Sequence, residues 1–150
     1  DSWVINEYLN DRYPERPLVP AVVVARRFAR ALENYADEII LSVHVPKIWM
    51  PWWSPPDQRD EQEMDRARTE LRERALPFVE ERLGGREYLA GEFSLADVPF
   101  MSLAMVLQVD GMPLDGLPNV AAYLERLRRR PSYRSIDPRT SLDESAGREA

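Results

Sequence analysis

The sequence contains no cysteine and a single histidine, His44, and Lys47 is its only lysine. Without thiols there is no disulfide scaffold, no thiolate metal site and no cysteine nucleophile. One histidine leaves no choice of Ser/His/Asp arrangements and makes a histidine-rich metal centre impossible, so the expectation is no metal. No stretch approaches the ~20 apolar residues of a membrane-spanning helix. The longest apolar run, Val98 to Val109, is 12 residues and is broken by Ser102 and Gln108. No basic-then-apolar leader is visible, and the expectation is a cytoplasmic protein without a membrane partner. Basic charge is also short: 20 Lys and Arg face 26 Asp and Glu, for a net charge of −6, which argues against nucleic acid as a partner.

What is present is a globular composition, 44% hydrophobic over 150 residues, enough for one core of ordinary size. The pattern is helical nearly throughout, with no convincing period-2 strand. Asp1-Ser2 are good N-cap residues for a first helix carrying Val4, Ile5, Tyr8 and Leu9, which Pro14 stops. Pro17 and Pro20 hold an extended connector. A long amphipathic helix is predicted from about Val22 to Val45, with Val24, Phe28, Leu32, Tyr35, Ile39 and Val43 on its inward stripe, Ala31, Ala36 and Ile40 widening it, and Glu33, Asp37 and Glu38 mostly off it. Pro46 should end or kink it. A second runs from about Asp57 to Leu83, with Met64, Ala67, Leu71, Ala75, Phe78 and Val79 inward; Pro77 predicts a kink near Glu73.

Phe93-Ser94-Leu95-Ala96-Asp97-Val98 is the most specific local signal. Ser94 can accept from the Asp97 amide while the Asp97 carboxylate reaches back to the Ser94 amide, with Phe93 and Val98 as the accompanying hydrophobic staple. The helix that follows is apolar all round and should be the buried centre. A last amphipathic helix, Asn119 to Arg130, turns Val120, Tyr123, Leu124 and Leu127 inward, and Pro131 stops it.

These residues carry a resemblance. Ser94-Leu95-Ala96-Asp97 following Tyr88-Leu89-Ala90-Gly91-Glu92-Phe93 resembles the capping-box segment of the all-helical C-terminal domain of the glutathione S-transferase superfamily. Leu117-Pro118-Asn119-Val120 before Tyr123-Leu124, with the closing Arg130-Pro131, resembles that domain's penultimate helix. Asp1 to Leu9 resembles the last helix of the family's thioredoxin-like domain. The implied fold class is all-α, a helical bundle of the C-terminal type. The implied organisation is residues 1–13 as that leftover helix, 14–20 as linker, 21–136 as the all-α domain and 137–150 as a flexible tail.

The resemblance further implies a glutathione-dependent transferase conjugating glutathione, as co-substrate, to an apolar electrophile, with a homodimer as the assembly. The family's activating Ser, Tyr or Cys belongs to the thioredoxin-like domain. The expectation is therefore a fragment that holds no catalytic residue and is itself inactive. A second reading is a non-catalytic protein-interaction module of the same fold.

Asp1 and Ser2 match the acidic residue and serine that hold the γ-glutamyl end of glutathione, where a carboxylate answers the ammonium and helix-start amides answer the carboxylate. The structural alternative is a plain N-cap. Tyr35, Glu38, Leu41, Ser42 and Val45 correspond to the family's acceptor-substrate wall, although Tyr35 also falls on the core stripe. Trp49, with Trp52 and Trp53, would roof that pocket or merely pin a long connection. His44 has no visible partner and reads as structural or exposed.

Overall fold

In the computed structural model, residues 2–135 are described. The chain begins with α1 (Ser2–Arg12), and an extended connector leads to α2 (Val23–Tyr35). A π-helical segment (Ala36–His44) carries α2 without a break into α3 (Val45–Trp49). Two 3-10 turns, Met50–Trp53 and Pro56–Gln58, precede α4 (Glu61–Glu70), which Asp60 caps by accepting from the Glu63 N–H at 3.0 Å. A second π segment (Leu71–Ala75) joins α4 to α5 (Leu76–Leu83). A 3-10 turn (Leu95–Asp97) opens α6 (Val98–Asp110), followed by α7 (Pro118–Arg128) and the short α8 (Pro131–Arg134). The all-α bundle is as expected; among the described residues the only β pairing is two isolated bridges, Tyr88 with Gly91 and Ala90 with Glu92.

The two prolines act alike, and differently from a simple stop. Pro46 and Pro77 each lie two residues beyond a π segment. Immediately before each proline the backbone bond is i→i−5: Val45 N–H to the Ile40 carbonyl, and Leu76 N–H to the Leu71 carbonyl. A proline ring clashes with the carbonyl four residues back and offers no donor, so widening the preceding turn lets the helix pass through. The kink expected near Glu73 is this π segment; at Pro46, where an end or a kink was expected, the helix does not end but passes through the same distortion and continues to Trp49.

The widened turns also correct the predicted inward faces. Leu32, Ala36 and Ile40 are buried as expected, joined by Ala29, Glu33 and His44, whereas Val24, Ile39 and Val43 are 62, 40 and 41% exposed. Val24 belongs to a first turn that has not yet reached the core, and the π geometry rotates Ile39 and Val43 outward. Phe78, expected inward, is 45% exposed and packs its ring on Tyr35 at 4.8 Å instead. Four further predicted boundaries move: the second long helix starts at Glu61, α6 runs on to Asp110, and α7 starts at Pro118 and ends at Arg128.

At the centre lies α6, with Phe100, Leu103, Ala104, Val106 and Leu107 buried, packed against α3, α7 and the first π segment. Gly111 ends it in the left-handed conformation at φ 73°, where its N–H reaches the Leu107 carbonyl. Its start is fixed by the capping box. Ser94 N–H donates to Asp97 Oδ2 at 2.8 Å, and Ser94 Oγ accepts from the Ala96 amide at 3.3 Å. The Asp97 carboxylate also accepts from the Leu89 N–H at 3.1 Å and the Tyr123 hydroxyl at 2.8 Å, so one buried group ties the loop, α6 and α7 together.

Candidate functional site

The polar side chains of α1 turn toward the bundle and hold the helix there. Asn6 Nδ2 donates to Glu33 Oε1 at 3.0 Å, and Arg30 grips both oxygens of Glu7 at 2.8 and 3.0 Å. Asn10 Oδ1 accepts from the Leu18 and Val19 amides at 2.8 and 2.9 Å, and the Leu18 carbonyl accepts from Leu95 N–H at 2.9 Å. The connector is thereby pinned to the capping-box turn. With its polar side engaged, α1 leaves Val4, Ile5, Tyr8 and Leu9 in solvent, 44 to 65% exposed.

Between α1, the α2–π helix and the start of α6 lies a cavity of about 430 Å³. Ser2, Trp3 and Asn6 line it from α1; Glu33, Asn34, Asp37, Glu38 and Leu41 from the long helix; Val98, Pro99 and Ser102 from α6. Its floor is acidic. Glu33 is only 3% exposed, and its Oε2 has no hydrogen-bond partner. Burial raises the Glu33 carboxyl above its ordinary value, Glu7 and Asp37 push the same way, and the Asn6 hydrogen bond and Arg30 pull back.

The structure brings together Ser2, Glu38 and Leu41 among the residues singled out from sequence, and Asp1 lies outside the described residues. The others go elsewhere. Tyr35 donates its hydroxyl to the Ala75 carbonyl at 3.1 Å, and burial raises its pKa. Ser42 Oγ turns back to the Asp37 carbonyl at 2.7 Å. Val45 and Trp49 pack on the core. Trp49 meets Trp53 edge-on at 5.9 Å, while Trp52 lies under Arg59 and donates Nε1 to Asp110 at 3.4 Å. None of the three tryptophans lines the cavity; they pin the connection between α3 and α4.

His44 is buried, and desolvation lowers its pKa; Glu70 opposes this from 3.9 Å and Lys47 adds to it. Among the described residues, no group of three or more His, Asp or Glu is placed to hold a metal ion. Sequence reasoning missed Trp3, Asn6, Glu33, Asn34, Asp37, Val98, Pro99 and Ser102. The available signal was the polar face itself: Glu33, Asp37 and Leu41 recur every four residues, with Asn34 and Glu38 beside them.

The chain was compared with known proteins. The family model described as "Glutathione S-transferase, C-terminal domain" matches residues 38–131. A stringent starvation protein A homologue of Pasteurella multocida is 28% identical over 135 residues, covering 89% of this chain and 59% of the relative. Glutathione S-transferase GstA of Escherichia coli O157:H7 is 27% identical over 132 residues, covering 87% and 62%. A theta class glutathione S-transferase of Xanthomonas axonopodis pv. citri, solved with glutathione bound, superposes with a TM-score of 0.76 at 25% identity, covering 88% of this chain and 69% of that one. The chain therefore spans about three fifths of the length of the curated relatives it matches.

Proposed function

We propose, for a chain that belongs to the glutathione S-transferase C-terminal domain family, that it is the substrate-binding half of a glutathione-dependent transferase. Glutathione is the co-substrate, and the acceptor is a mostly apolar electrophile. The observation that carries this reading is the shared cavity: Ser2, matched to the glutathione end, lines the same space as Glu38 and Leu41, matched to the acceptor wall. A solved relative in the same fold holds glutathione.

In this reading the nucleophile is the thiolate of glutathione. The chain's own residues supply binding and orientation, so that thiolate and electrophile meet at effective rather than bulk concentration. Ser2 and the first-turn amides of α1 receive the γ-glutamyl carboxylate, and Asp1 answers its ammonium. Trp3, Leu41, Val98 and Pro99 supply apolar walls to the acceptor. No residue of the chain is assigned the task of activating the thiol. The 150-residue chain should therefore show little transferase activity and bind glutathione only weakly. Amide NMR during a glutathione titration tests this. Weak shifts centred on Ser2, Trp3 and the cavity support the reading, and shifts scattered elsewhere, or none up to about 10 mM, overturn it.

A second reading, a non-catalytic interaction module, draws on the exposed face of α1, where Val4, Ile5, Tyr8 and Leu9 form an apolar strip. In either reading we propose a homodimer in the cytoplasm. Light scattering of the chain and of a Val4→Glu/Leu9→Glu variant checks whether this strip takes part. A parent that self-associates and a variant that does not would favour it.

A further inference from the structure

Four arginines gather around the loop between α5 and α6 without meeting an acid. Arg82 Nε donates to the Leu89 carbonyl at 3.0 Å, and Arg86 Nη1 to the Arg82 carbonyl at 2.8 Å. From the α7 side, Arg126 Nη1 donates to the Glu87 carbonyl, and Arg130 Nη1 lies 3.4 Å from the Tyr88 hydroxyl. Three of the guanidinium groups rest on rings: Arg82 on Phe28 at 4.7 Å, Arg126 on Tyr88 at 5.7 Å and Arg130 on Phe93 at 3.4 Å. Among the described residues none of the four forms an ion pair. Glu125 is taken by Arg128 and Arg129, and the exposed Glu87 and Glu92 of the same loop pair with none of them. Arg30 and Arg68 make the contrast, since their carboxylate partners push the pKa up. Arg82 is pushed down, by burial and by the charge of Arg86 beside it.

The outer edges of these groups are accessible. Arg130 Nε is sealed from solvent, but Nη2 of Arg130, Nη2 of Arg126 and both Nη atoms of Arg82 have no partner and are open to water. Arg86 is exposed outright. We propose that this rim docks an extended acidic segment of a protein partner, whose carboxylates meet the free edges of Arg82, Arg86, Arg126 and Arg130. A guanidinium laid flat on a ring keeps its N–H edge available, and that edge takes a carboxylate with two bonds at once. Side chains already ordered by a ring and a carbonyl also lose little freedom on binding. Their anchors at Glu87, Tyr88 and Leu89 are successive residues, a span of about 10 Å. Alternate residues of an extended segment lie about 7 Å apart on one face, so two acidic residues so spaced reach two of the four arginines. Nucleic acid is the poorer partner, because a net charge of −6 repels a long polyanion while a short segment meets only the local arginines. None of these residues lines the cavity, so docking here goes beyond the transferase reading and does not depend on it.

The test titrates the 150-residue chain with an acetylated and amidated Glu-Leu-Glu-Phe-Glu peptide and with its Gln-Leu-Gln-Phe-Gln counterpart. Binding is followed by calorimetry and by NMR of the backbone amides and arginine Nε–H groups. At about 50 mM salt the acidic peptide is expected to bind about tenfold more tightly, the preference shrinking as salt is added. Shifts should centre on Arg86, Tyr88, Arg126 and Arg130. An Arg86→Gln/Arg126→Gln variant should lower the preference to about threefold or less, whereas Arg66→Gln/Arg74→Gln, with the same change of net charge, should keep it. Equal binding of the two peptides overturns the proposal, as do shifts centred elsewhere or an equal loss in both double variants. A thymidine pentanucleotide that binds more tightly than the acidic peptide overturns it too. The two peptides and the map of shifts on the parent chain decide the matter even if a variant fails to fold. Glutathione is absent from these titrations, so its own failure to bind would count against the transferase reading alone.

Discussion

Arg68 holds Asp110 from the side and the end together: its Nε lies 3.1 Å from Oδ2 and its Nη2 2.7 Å from Oδ1. The two residues are 42 positions apart and belong to α4 and the last turn of α6. Their surroundings differ. The Asp110 side chain is 1% exposed, whereas that of Arg68 is 22% exposed and also meets Asp65 at 2.6 Å. Two carboxylates beside it push the Arg68 pKa further up, so it stays charged at any working pH. The fork of a guanidinium matches a carboxylate with both bonds at once, which a lysine could not reproduce.

The asymmetry predicts an order of effects. Arg68→Ala strands a buried carboxylate whose one remaining partner is a long hydrogen bond from Trp52, and should cost about 3–5 kcal/mol. Asp110→Ala frees an arginine that can turn to water and to Asp65, and should cost about 1–3 kcal/mol. Urea denaturation of the two variants gives the comparison. Similar costs, or the reverse order, would show that Asp110 is not the expensive member of the pair.

Asp97 should be worth more than an ordinary helix cap. An isolated capping side chain contributes about 1–2 kcal/mol. Here the carboxylate also receives Leu89 N–H and the Tyr123 hydroxyl, and Asp97→Ala would orphan both inside the core. A loss of about 3–4 kcal/mol is expected, with Tyr123→Phe costing about 1.5 kcal/mol through its single bond to a charged acceptor. Thermal melts beside a surface control, Glu61→Ala, are sufficient. A value for Asp97→Ala no larger than that of a simple cap would show that the additional donors find other partners.

These two sites mark the limits of what could be read from the chain. Ser94 and Asp97 were legible because a capping box is local: three residues of separation fix the geometry whatever surrounds it. Tyr123 was visible only as an inward aromatic, since nothing in the sequence says which buried acceptor its hydroxyl meets. The inward stripe through Val24, Ile39 and Val43 followed a constant 3.6-residue period. The π segment upstream of Pro46 breaks that period by one residue per turn, so that Ile40 from the edge of the stripe, and His44, which lay off it, are the buried positions there. At the site, Ser2, Glu38 and Leu41 were legible through the resemblance to the family, whereas Glu33 looked like one more solvated charge. Its burial comes from Asn6 on a different helix, a contact that no single-helix pattern contains.

Glu33 should make the protein less stable as pH rises. Its folded pKa is raised, so between the unfolded value near 4.3 and the folded one the native state holds more protons than the unfolded chain. Stability from this group is complete below that window and lost across it as pH increases. Glu33→Gln keeps an acceptor for Asn6 and removes the charge. At neutral pH the variant's melting temperature should rise by about 2–4 °C, roughly 1 kcal/mol for a chain of this size. At about pH 4 the gain should vanish. A variant less stable than the parent at neutral pH would mean that the Glu33 carboxylate is already satisfied.

His44 should act in the opposite direction, and on acidification. Its side chain is 8% exposed, Nδ1 has no hydrogen-bond partner, and burial holds its pKa below the ordinary 6.5. The groups that face it disagree: desolvation and Lys47 both disfavour the charged ring, and together they outweigh Glu70, which favours it from 3.9 Å. As pH falls below about 6.5 the unfolded chain takes up a proton that the native imidazole resists. Stability is therefore lost from that pH downward until the folded group titrates. Other carboxylates titrate in the same range, so the useful quantity is a difference between two proteins sharing them. His44→Leu should match the parent to within about 1 kcal/mol near pH 7.5 and exceed it near pH 5.5, as read from urea unfolding at both values. If the parent instead gains on the variant as the solution is acidified, Glu70 captures the protonated ring and the imidazole is a cation in the fold.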